Sequence, residues 1–555
     1  MKFDDLITEL GEFGPYQKRL YFIVCLVGIP AALQTLAGVF IQATPDHRCA
    51  LPTLPNDTYS SQGSWHDDLV NLSIPWDSDD DMYDECHRKR HAGNLDNDTV
   101  SCDKWVYSKD PFKNTFVTDL DLVCDDKHMV TYASMILMGG MLGGSLLMGI
   151  LSDIFGRKKV LVLSTLGQFA AGFGTAWADS YALYVTLRFF VTFFGIGMFL
   201  SAFVIGMELV GPSKRRIAGI VIEMFWCIGL FIETGIAYGL RDWSHFQMTI
   251  SMFNIVAAVV FAVFIPESAR WLLQKGKTEE ATKIIKKAAE VNGVILSEKA
   301  RKLEDIEMEG ENEKLWHMLT HPVLLVRSLI VFFNWLVASM VYYGLSLNAE
   351  ALSGDIYLNF FLLALVELAS YVVCLAFLDM AGRKFLQCSS MVLGGVACVA
   401  TLFPVIYGGK GEEWITLILS LLGKFGASAG FAVIYVYSAE LFPTVMRNSG
   451  MGLCSLCARI GGILAPYIAD LEDVIDNDWG TALPLLIFGG LSLAAGFLVL
   501  FLPETSNKIL PDTVEDAKNF GRSKKKARNN YALDSNELSA GEGKDNPTFR
   551  MEKKF

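Results

Sequence analysis

The segment Asp153-Ile154-Phe155-Gly156-Arg157-Lys158 returns 226 residues later as Asp379-Met380-Ala381-Gly382-Arg383-Lys384. Two further pairs keep nearly that offset: Glu208 with Arg215 mirrors Glu440 with Arg447, and Pro266-Glu267-Ser268 mirrors Pro503-Glu504-Thr505. Three matched pairs in one order mark an internal duplication. The duplicated units are apolar. Of the 555 residues, 52% are hydrophobic and 19% charged, and the apolar residues gather into stretches of about 20, the length that crosses a bilayer as helix.

Working outward from the repeat, spanning helices are predicted at 20–41, 129–151, 160–178, 181–207, 217–238, 246–265, 323–346, 357–378, 385–407, 414–438, 449–469 and 482–502. The fold class is therefore an all-α membrane protein of twelve helices in two pseudo-symmetric six-helix bundles, 20–265 and 323–502. Residues 1–19 precede the first bundle, 43–128 form a large loop after helix 1, 266–322 link the bundles, and 503–555 form a tail whose polar composition predicts disorder. Residues 1–19 are polar and charged and lack the features of a cleavable signal peptide.

Basic residues set the orientation: Arg157 to Lys159, Lys214 to Arg216, and Arg383 with Lys384 all fall at one face, which reads as cytosolic, with both termini inside. The 43–128 loop then lies outside. It holds 18 Asp or Glu against 8 Lys or Arg and four of the 11 cysteines, Cys49, Cys86, Cys102 and Cys124. In an oxidising compartment these four form two disulfides, with three pairings open. Three sequons, at Asn56, Asn71 and Asn97, predict glycosylation of the same loop.

The run Gly149-Ile150-Leu151-Ser152-Asp153-Ile154-Phe155-Gly156-Arg157-Lys158 resembles the helix 2–3 hairpin motif of the major facilitator superfamily. The loop after helix 1, the run Pro266-Glu267-Ser268-Ala269-Arg270-Trp271-Leu272 and the segment Ala439-Glu440-Leu441-Phe442-Pro443-Thr444-Val445-Met446-Arg447-Asn448 narrow the resemblance. Together they look like the organic cation, carnitine and anion transporters (solute carrier family 22). The opening Gly11-Glu12-Phe13-Gly14-Pro15-Tyr16-Gln17 is similar to the invertebrate organic-cation-transporter-like branch. The resemblance implies alternating access of a central site. It also implies that Glu367 in helix 8 matches the cation and carnitine carriers, whereas Arg459 before Ile460-Gly461-Gly462 matches the carnitine and anion branches. Ala31 stands where sodium-coupled carnitine carriers have Asn, which argues against sodium coupling.

Glu367, Lys424 and Arg459 each fall about ten residues into a helix, about 15 Å deep at 1.5 Å per residue. An ionisable residue at that depth costs about 2.5–3.5 kcal/mol to insert, so it faces a cavity or a partner. The functional reading has Glu367 take a substrate ammonium and Arg459 a carboxylate. The plain alternative is a Glu367–Arg459 or Glu367–Lys424 pair that only ties helices together. The resemblance implies that Tyr342, Trp226 and Tyr435 line the cavity, where rings hold ammonium groups by cation–π attraction. On helix 5, Glu223 and Glu233 lie where either can face the path, and Arg188 on helix 4 has the reach to snorkel outward.

Asp153, Arg157, Glu208 and Arg215, with Asp379, Arg383, Glu440 and Arg447, are expected to pair between the halves and close an inner gate. Gly139 and Gly143, with Gly140 and Gly144, give small-xxx-small spacing on helix 2; Gly461, Gly462 and Pro30 are expected to permit bends. The chain lacks a Gly-x-x-x-x-Gly-Lys-Ser/Thr loop and paired-Cys or His-Glu-x-x-His metal spacing, so an enzyme and a resident cofactor or metal are not expected. An acidic loop gives no nucleic-acid footprint. The expected partners are a small organic solute, membrane lipid and, left open, a coupling ion. The reading is a secondary carrier of organic cations or carnitine-like zwitterions at the plasma membrane. The alternatives are a potential-driven cation uniporter and a solute-sensing receptor.

Overall fold

The computed structural model describes residues 3–77, 82–90, 99–297, 321–347, 354–407, 413–443, 446–471, 478–506, 508, 511 and 514–521. Twelve long helical segments appear. In the first half they are helix 1 (Pro15–Cys25, Gly28–Thr35 and Gly38–Ile41), helix 2 (His128–Phe155), helix 3 (Arg157–Thr175), helix 4 (Tyr181–Leu209), helix 5 (Arg215–Gly239) and helix 6 (Trp243–Phe264). In the second they are helix 7 (Pro322–Leu347), helix 8 (Ile356–Ala381), helix 9 (Arg383–Ala400, continued by Leu402–Tyr407), helix 10 (Glu413–Leu441), helix 11 (Arg447–Ala469) and helix 12 (Asp478–Val499).

Eleven of these are long and apolar enough to cross a membrane; helix 3 is the exception. Its inward face carries Ser164, Thr165, Gln168 and Thr175, all buried, and its first turn carries three bases. Helix 1 is broken where one span was expected. Pro30 sits in the first turn of Gly28–Thr35, where its missing N–H leaves nothing unpaired, and the break precedes it at Leu26-Val27.

Within the first half helix 4 packs on helices 2 and 3, helix 3 on helix 6, and helix 1 on helix 5; in the second, helix 7 packs on helix 11, and helix 9 on helices 10 and 12. The halves meet along helices 2 and 11 and along helices 5 and 8. Gly140 and Gly144, not Gly139 and Gly143, provide the close approach: a Cβ would lie 2.1 Å from Phe189 O at Gly140 and 2.3 Å from Phe193 O at Gly144, both on helix 4. Helix 11 runs unbroken through Gly461 and Gly462, and at Gly461 a Cβ would lie 2.1 Å from Leu336 O of helix 7. Packing, not bending, explains that glycine.

At one end the loop after helix 1 forms a lobe. His47–Cys49 pairs antiparallel with Trp105–Tyr107, and His87–Lys89 with Thr99–Ser101. The disulfides are Cys49–Cys102 and Cys86–Cys124, which selects one of the three pairings. Phe116 stacks on Tyr184 of helix 4 and meets Trp243 of helix 6 edge-on, and Trp243 Nε1 donates to Asp119 Oδ2 at 2.7 Å; the lobe is thus keyed onto the first half. Asn56 and Asn71 are exposed on it, and Asn97 lies outside the described residues.

Asp57, inside the Asn56 sequon, has a nearly inaccessible carboxyl that holds the lobe together. It accepts from Arg48 Nη1 and Nη2 at 2.9 and 2.8 Å and from Leu51 N at 2.8 Å, with His66 Nε2 at 2.9 Å. Burial raises its pKa, but these donors outweigh burial and hold the carboxyl below the usual carboxylate range. A depressed folded pKa gives stability that is complete above the unfolded value, about 3.9, and is lost as pH falls through the folded value. Protease digestion of the purified protein across pH is expected to show the lobe resistant at pH 5 and above and opening below about pH 4. Asp57→Asn is expected to be susceptible throughout.

At the other end Phe3–Glu9 packs Phe3, Leu6 and Ile7 against Trp271, Leu272 and Ile285 of the linker helices Ala269–Gln274 and Thr278–Asn292. These two helices make up most of the described part of the linker; 298–320 lie outside the described residues. The tail departs from expectation, because Val514–Asn519 is helical and Arg327 donates to Ala517 O at 2.8 Å and Phe520 O at 2.9 Å. Residues 522–555 lie outside the described residues.

Candidate functional site

Glu367 projects from helix 8 into the centre of the bundle and is fully buried. Helix periodicity places Tyr371 one turn on, and its hydroxyl donates to Glu367 Oε1 at 3.0 Å. Tyr342 of helix 7 donates to the same oxygen at 2.9 Å. Lys424 of helix 10 lies 2.9 Å from Oε2, at ion-pair distance but poorly directed for a hydrogen bond. Its Nζ instead donates to Ser346 Oγ at 2.5 Å and sits 3.4 Å above the centroid of the Tyr342 ring. Trp226 of helix 5 donates to the Tyr342 hydroxyl at 3.1 Å. One chain of hydrogen bonds therefore crosses from the first half to the second, ending on a carboxylate.

This cluster unites Glu367, Lys424, Tyr342 and Trp226. Arg459 and Tyr435 stand apart from it. Arg459 Nη1 lies 2.8 Å from Met141 Sδ of helix 2, its Nε has no hydrogen-bond partner, and it forms no ion pair among the described residues. Tyr435 packs edge-on against Trp335 and tilted against Phe203 across the halves. Glu223 of helix 5 is within electrostatic reach of both Glu367 and Arg459. The centre thus holds a carboxylate–ammonium pair and, beside it, a guanidinium that lies against a weak thioether acceptor and within reach of the Tyr343 hydroxyl.

Arg157 and Arg383 pair with acids of their own halves rather than across them, which corrects the expectation for these two, whereas Asp379 also pairs across the halves. Arg157 contacts Asp153 at 2.9 Å and Glu208 at 3.7 Å; Arg383 contacts Asp379 at 3.1 Å and Glu440 at 3.0 Å. The reason is local: Gly156 and Gly382, both at positive φ, turn each chain so that the Arg folds back on its own hairpin. Arg215 pairs with Asp4 of the N-terminal helix at 3.0 and 2.6 Å. Arg447 begins helix 11, half-buried. Arg216, passed over in the sequence, makes the ion pair that does cross the halves, to Asp379.

Glu267 and Glu504 have a role that the repeat pointed to without defining. Glu267 accepts from Lys158 N at 3.0 Å and Glu504 from Arg383 N and Lys384 N at 3.0 and 3.1 Å. Each carboxylate caps the start of the third helix of its half, where free N–H groups and the helix dipole favour a negative charge. Burial raises the pKa of Glu504, yet the amides of Ser506, Arg383, Lys384 and Thr505 outweigh it and hold the carboxyl below its ordinary range. Arg188 is also corrected. It is fully buried, with Nη1 donating to Gln34 O at 3.2 Å, and does not snorkel.

Comparison with known proteins agrees with this architecture. Residues 82–515 match the family described as "Sugar (and other) transporter". The chain is 39% identical over 537 residues to the organic cation transporter protein of Drosophila melanogaster, covering 94% of this chain and 95% of the relative. It is 34% identical to human solute carrier family 22 member 13, with 93% of each chain covered, and 32% identical to human organic cation/carnitine transporter 2, covering 92% and 93%. The chain belongs to solute carrier family 22. Solute carrier family 22 proteins are multi-pass membrane transporters, not enzymes. The fold agrees: the xylose transporter XylE from E. coli matches with a TM-score of 0.59 at 15% identity over 89% of this chain and 100% of that one. The human organic anion transporter MFSD10 matches with a TM-score of 0.53 at 16% identity, covering 87% and 100%.

Proposed function

We propose that this member of solute carrier family 22 is a secondary carrier of small organic cations or carnitine-like zwitterions at the plasma membrane. Both termini are cytosolic in this reading, and the glycosylated lobe is extracellular. Glu367 binds the substrate's ammonium, with Tyr342 and Trp226 beside it, and Arg459, near Tyr435, binds the carboxylate of a zwitterion. The observation that carries this reading is Lys424. A primary alkylammonium on a tether lies against the Glu367 carboxylate and over the Tyr342 ring, the two contacts that a substrate ammonium would use. Lys424 occupies the site as its own stand-in and gives way when substrate arrives. Exchange of one ammonium for another keeps Glu367 compensated throughout, which a buried carboxylate requires.

Alternating access follows from two six-helix halves rocking about this site. Arg216–Asp379 is the tie that breaks when the inner side opens, while the intra-half pairs of Arg157 and Arg383 keep each hairpin rigid. An exposed ion pair contributes only about 0.2–1 kcal/mol, small enough for substrate binding to shift the balance.

Uptake of radiolabelled carnitine and of tetraethylammonium into expressing cells tests the assignment. Arg459→Ala is expected to abolish saturable carnitine uptake and to leave tetraethylammonium uptake within a few-fold. Loss of neither would remove Arg459 from the site and favour a potential-driven cation uniporter. A ligand that binds without saturable accumulation or exchange would make the chain a receptor.

A further inference from the structure

The first half contains a second charged pair that the site above does not use. Glu233 on helix 5 and Arg188 on helix 4 are both fully buried. They lie about 9 and 10 Å from the outer ends of their helices, counted at 1.5 Å per residue. Neither oxygen of Glu233 has a hydrogen-bond partner, nor do Nε and Nη2 of Arg188. Arg188 is within electrostatic reach of Glu233, yet the two do not form an ion pair. Gln34, whose carbonyl accepts from Arg188 Nη1, spends its side chain elsewhere: its Nε2 donates to Ser251 Oγ at 3.0 Å, and its Oε1 accepts from Gln247 Nε2 at 3.0 Å.

A carboxylate with no donor, cut off from water, is strongly disfavoured as an ion, and attraction to a guanidinium that does not touch it does not replace the missing hydrogen bonds. A neutral carboxylic acid is the form that such a pocket tolerates. Other charged groups do not alter this. On helix 8, which packs on helix 5 from the opposite half, Glu367 engages Lys424 of helix 10. Glu223, ten residues below on helix 5, answers to Glu367 and Arg459. Tyr184 of helix 4 and Tyr357 of helix 8 are neutral phenols, and Asp242 and His245 pair with each other at the outer end of helix 6.

We propose that Glu233 is a proton-binding site, protonated in the arrangement seen here. It ionises when helices 4 and 5 shift relative to each other and bring its carboxylate against the unused donors of Arg188. The O–H bond of Glu233 breaks, the proton passes to water on the side then open, and the carboxylate is compensated by the guanidinium. Each transport cycle through that shift releases one proton and takes up another, so substrate flux is linked to pH.

The test uses the full-length protein reconstituted in liposomes, with tetraethylammonium and carnitine as probes across external pH. Linkage to one proton makes the wild-type rate change by up to about tenfold per pH unit across the midpoint. Glu233→Gln, which fixes the neutral form, is expected to transport with a flat profile, and Glu233→Asp to move the midpoint. A wild-type profile retained in Glu233→Gln, or a midpoint unmoved in Glu233→Asp, overturns the proposal. The pH profile presupposes the carrier reading, but a second readout does not. Infrared difference spectra of the purified protein, acid minus alkaline, are expected to carry a protonated-carboxyl stretch that Glu233→Gln removes; a spectrum that the substitution leaves unchanged overturns the assignment even if neither probe is transported.

Discussion

Glu367→Gln is expected to abolish saturable uptake of both tetraethylammonium and carnitine and to lower the thermal midpoint of the purified protein. The stability loss comes from Lys424, which is left charged and buried without its counter-ion; breaking such a pair from one side costs about 3–5 kcal/mol. The transport loss comes from the substrate, which loses a charge-assisted contact of about 1.5–3 kcal/mol, equivalent to about 10–150-fold in affinity. The double substitution Glu367→Gln with Lys424→Met separates the two. It removes both charges and is expected to recover most of the thermal stability without recovering uptake. Recovery of both would reduce the pair to a tie between helices 8 and 10. Normal uptake by Glu367→Gln at normal surface expression would take Glu367 out of the site.

The second large effect is expected at Arg383, and its size relative to Arg157 is the informative quantity. Arg383 makes three hydrogen bonds to Glu440, through Nε to both oxygens and through Nη2, and further ones to Asp379, Leu378 O and Ser506. Its counterpart reaches Glu208 only at 3.7 Å. Arg383→Ala strips the half-buried Glu440 of three hydrogen bonds, leaving that from Thr505 Oγ1, and should cost about 3–5 kcal/mol by the same one-sided argument. Arg157→Ala should cost distinctly less. Thermal midpoints of the two purified variants check the order, and equal losses would mean that the repeat is energetically symmetric despite its unequal distances.

The duplication, the twelve helices and the central charges were legible because each rests on something local: a repeated hexapeptide, a run of apolar length, an ionisable residue far from either end of a span. What was not legible depended on how helices turn about their own axes. Gly140 and not Gly139 meets helix 4, and Tyr371 joins Glu367 only because it lies one turn along the same helix; the i, i+4 spacing was visible, but not which face looked inward. The partners of Arg157 and Arg383 were misassigned for a related reason. Arg157 and Arg383 had acids both on their own hairpin and across the halves, and sequence does not reveal that Gly156 and Gly382 turn the chain back on itself. Arg216 sat next to the repeated Arg215 and drew no notice because Lys214 to Arg216 served as one topological signal. Arg188 was expected to reach outward because its distance from the helix end permitted it, whereas the carbonyl of Gln34, left free where helix 1 is interrupted a second time between Thr35 and Gly38, captured it.

The cysteine pairing of the outer lobe has a consequence for how the protein is made. Cys49 joins Cys102 and Cys86 joins Cys124, so the two bridges interleave along the chain. In the orientation proposed above, Cys86 follows Cys49 into the oxidising lumen during synthesis before either native partner exists there. Oxidation in order of emergence would join these two and then strand Cys102 with Cys124. Escape from that wrong pair runs through attack of a later thiolate on the early bond, an exchange that takes seconds to hours depending on the isomerase present. Surface yield in a foreign host is then expected to rise with the thiol-exchange capacity of the compartment through which the nascent chain passes.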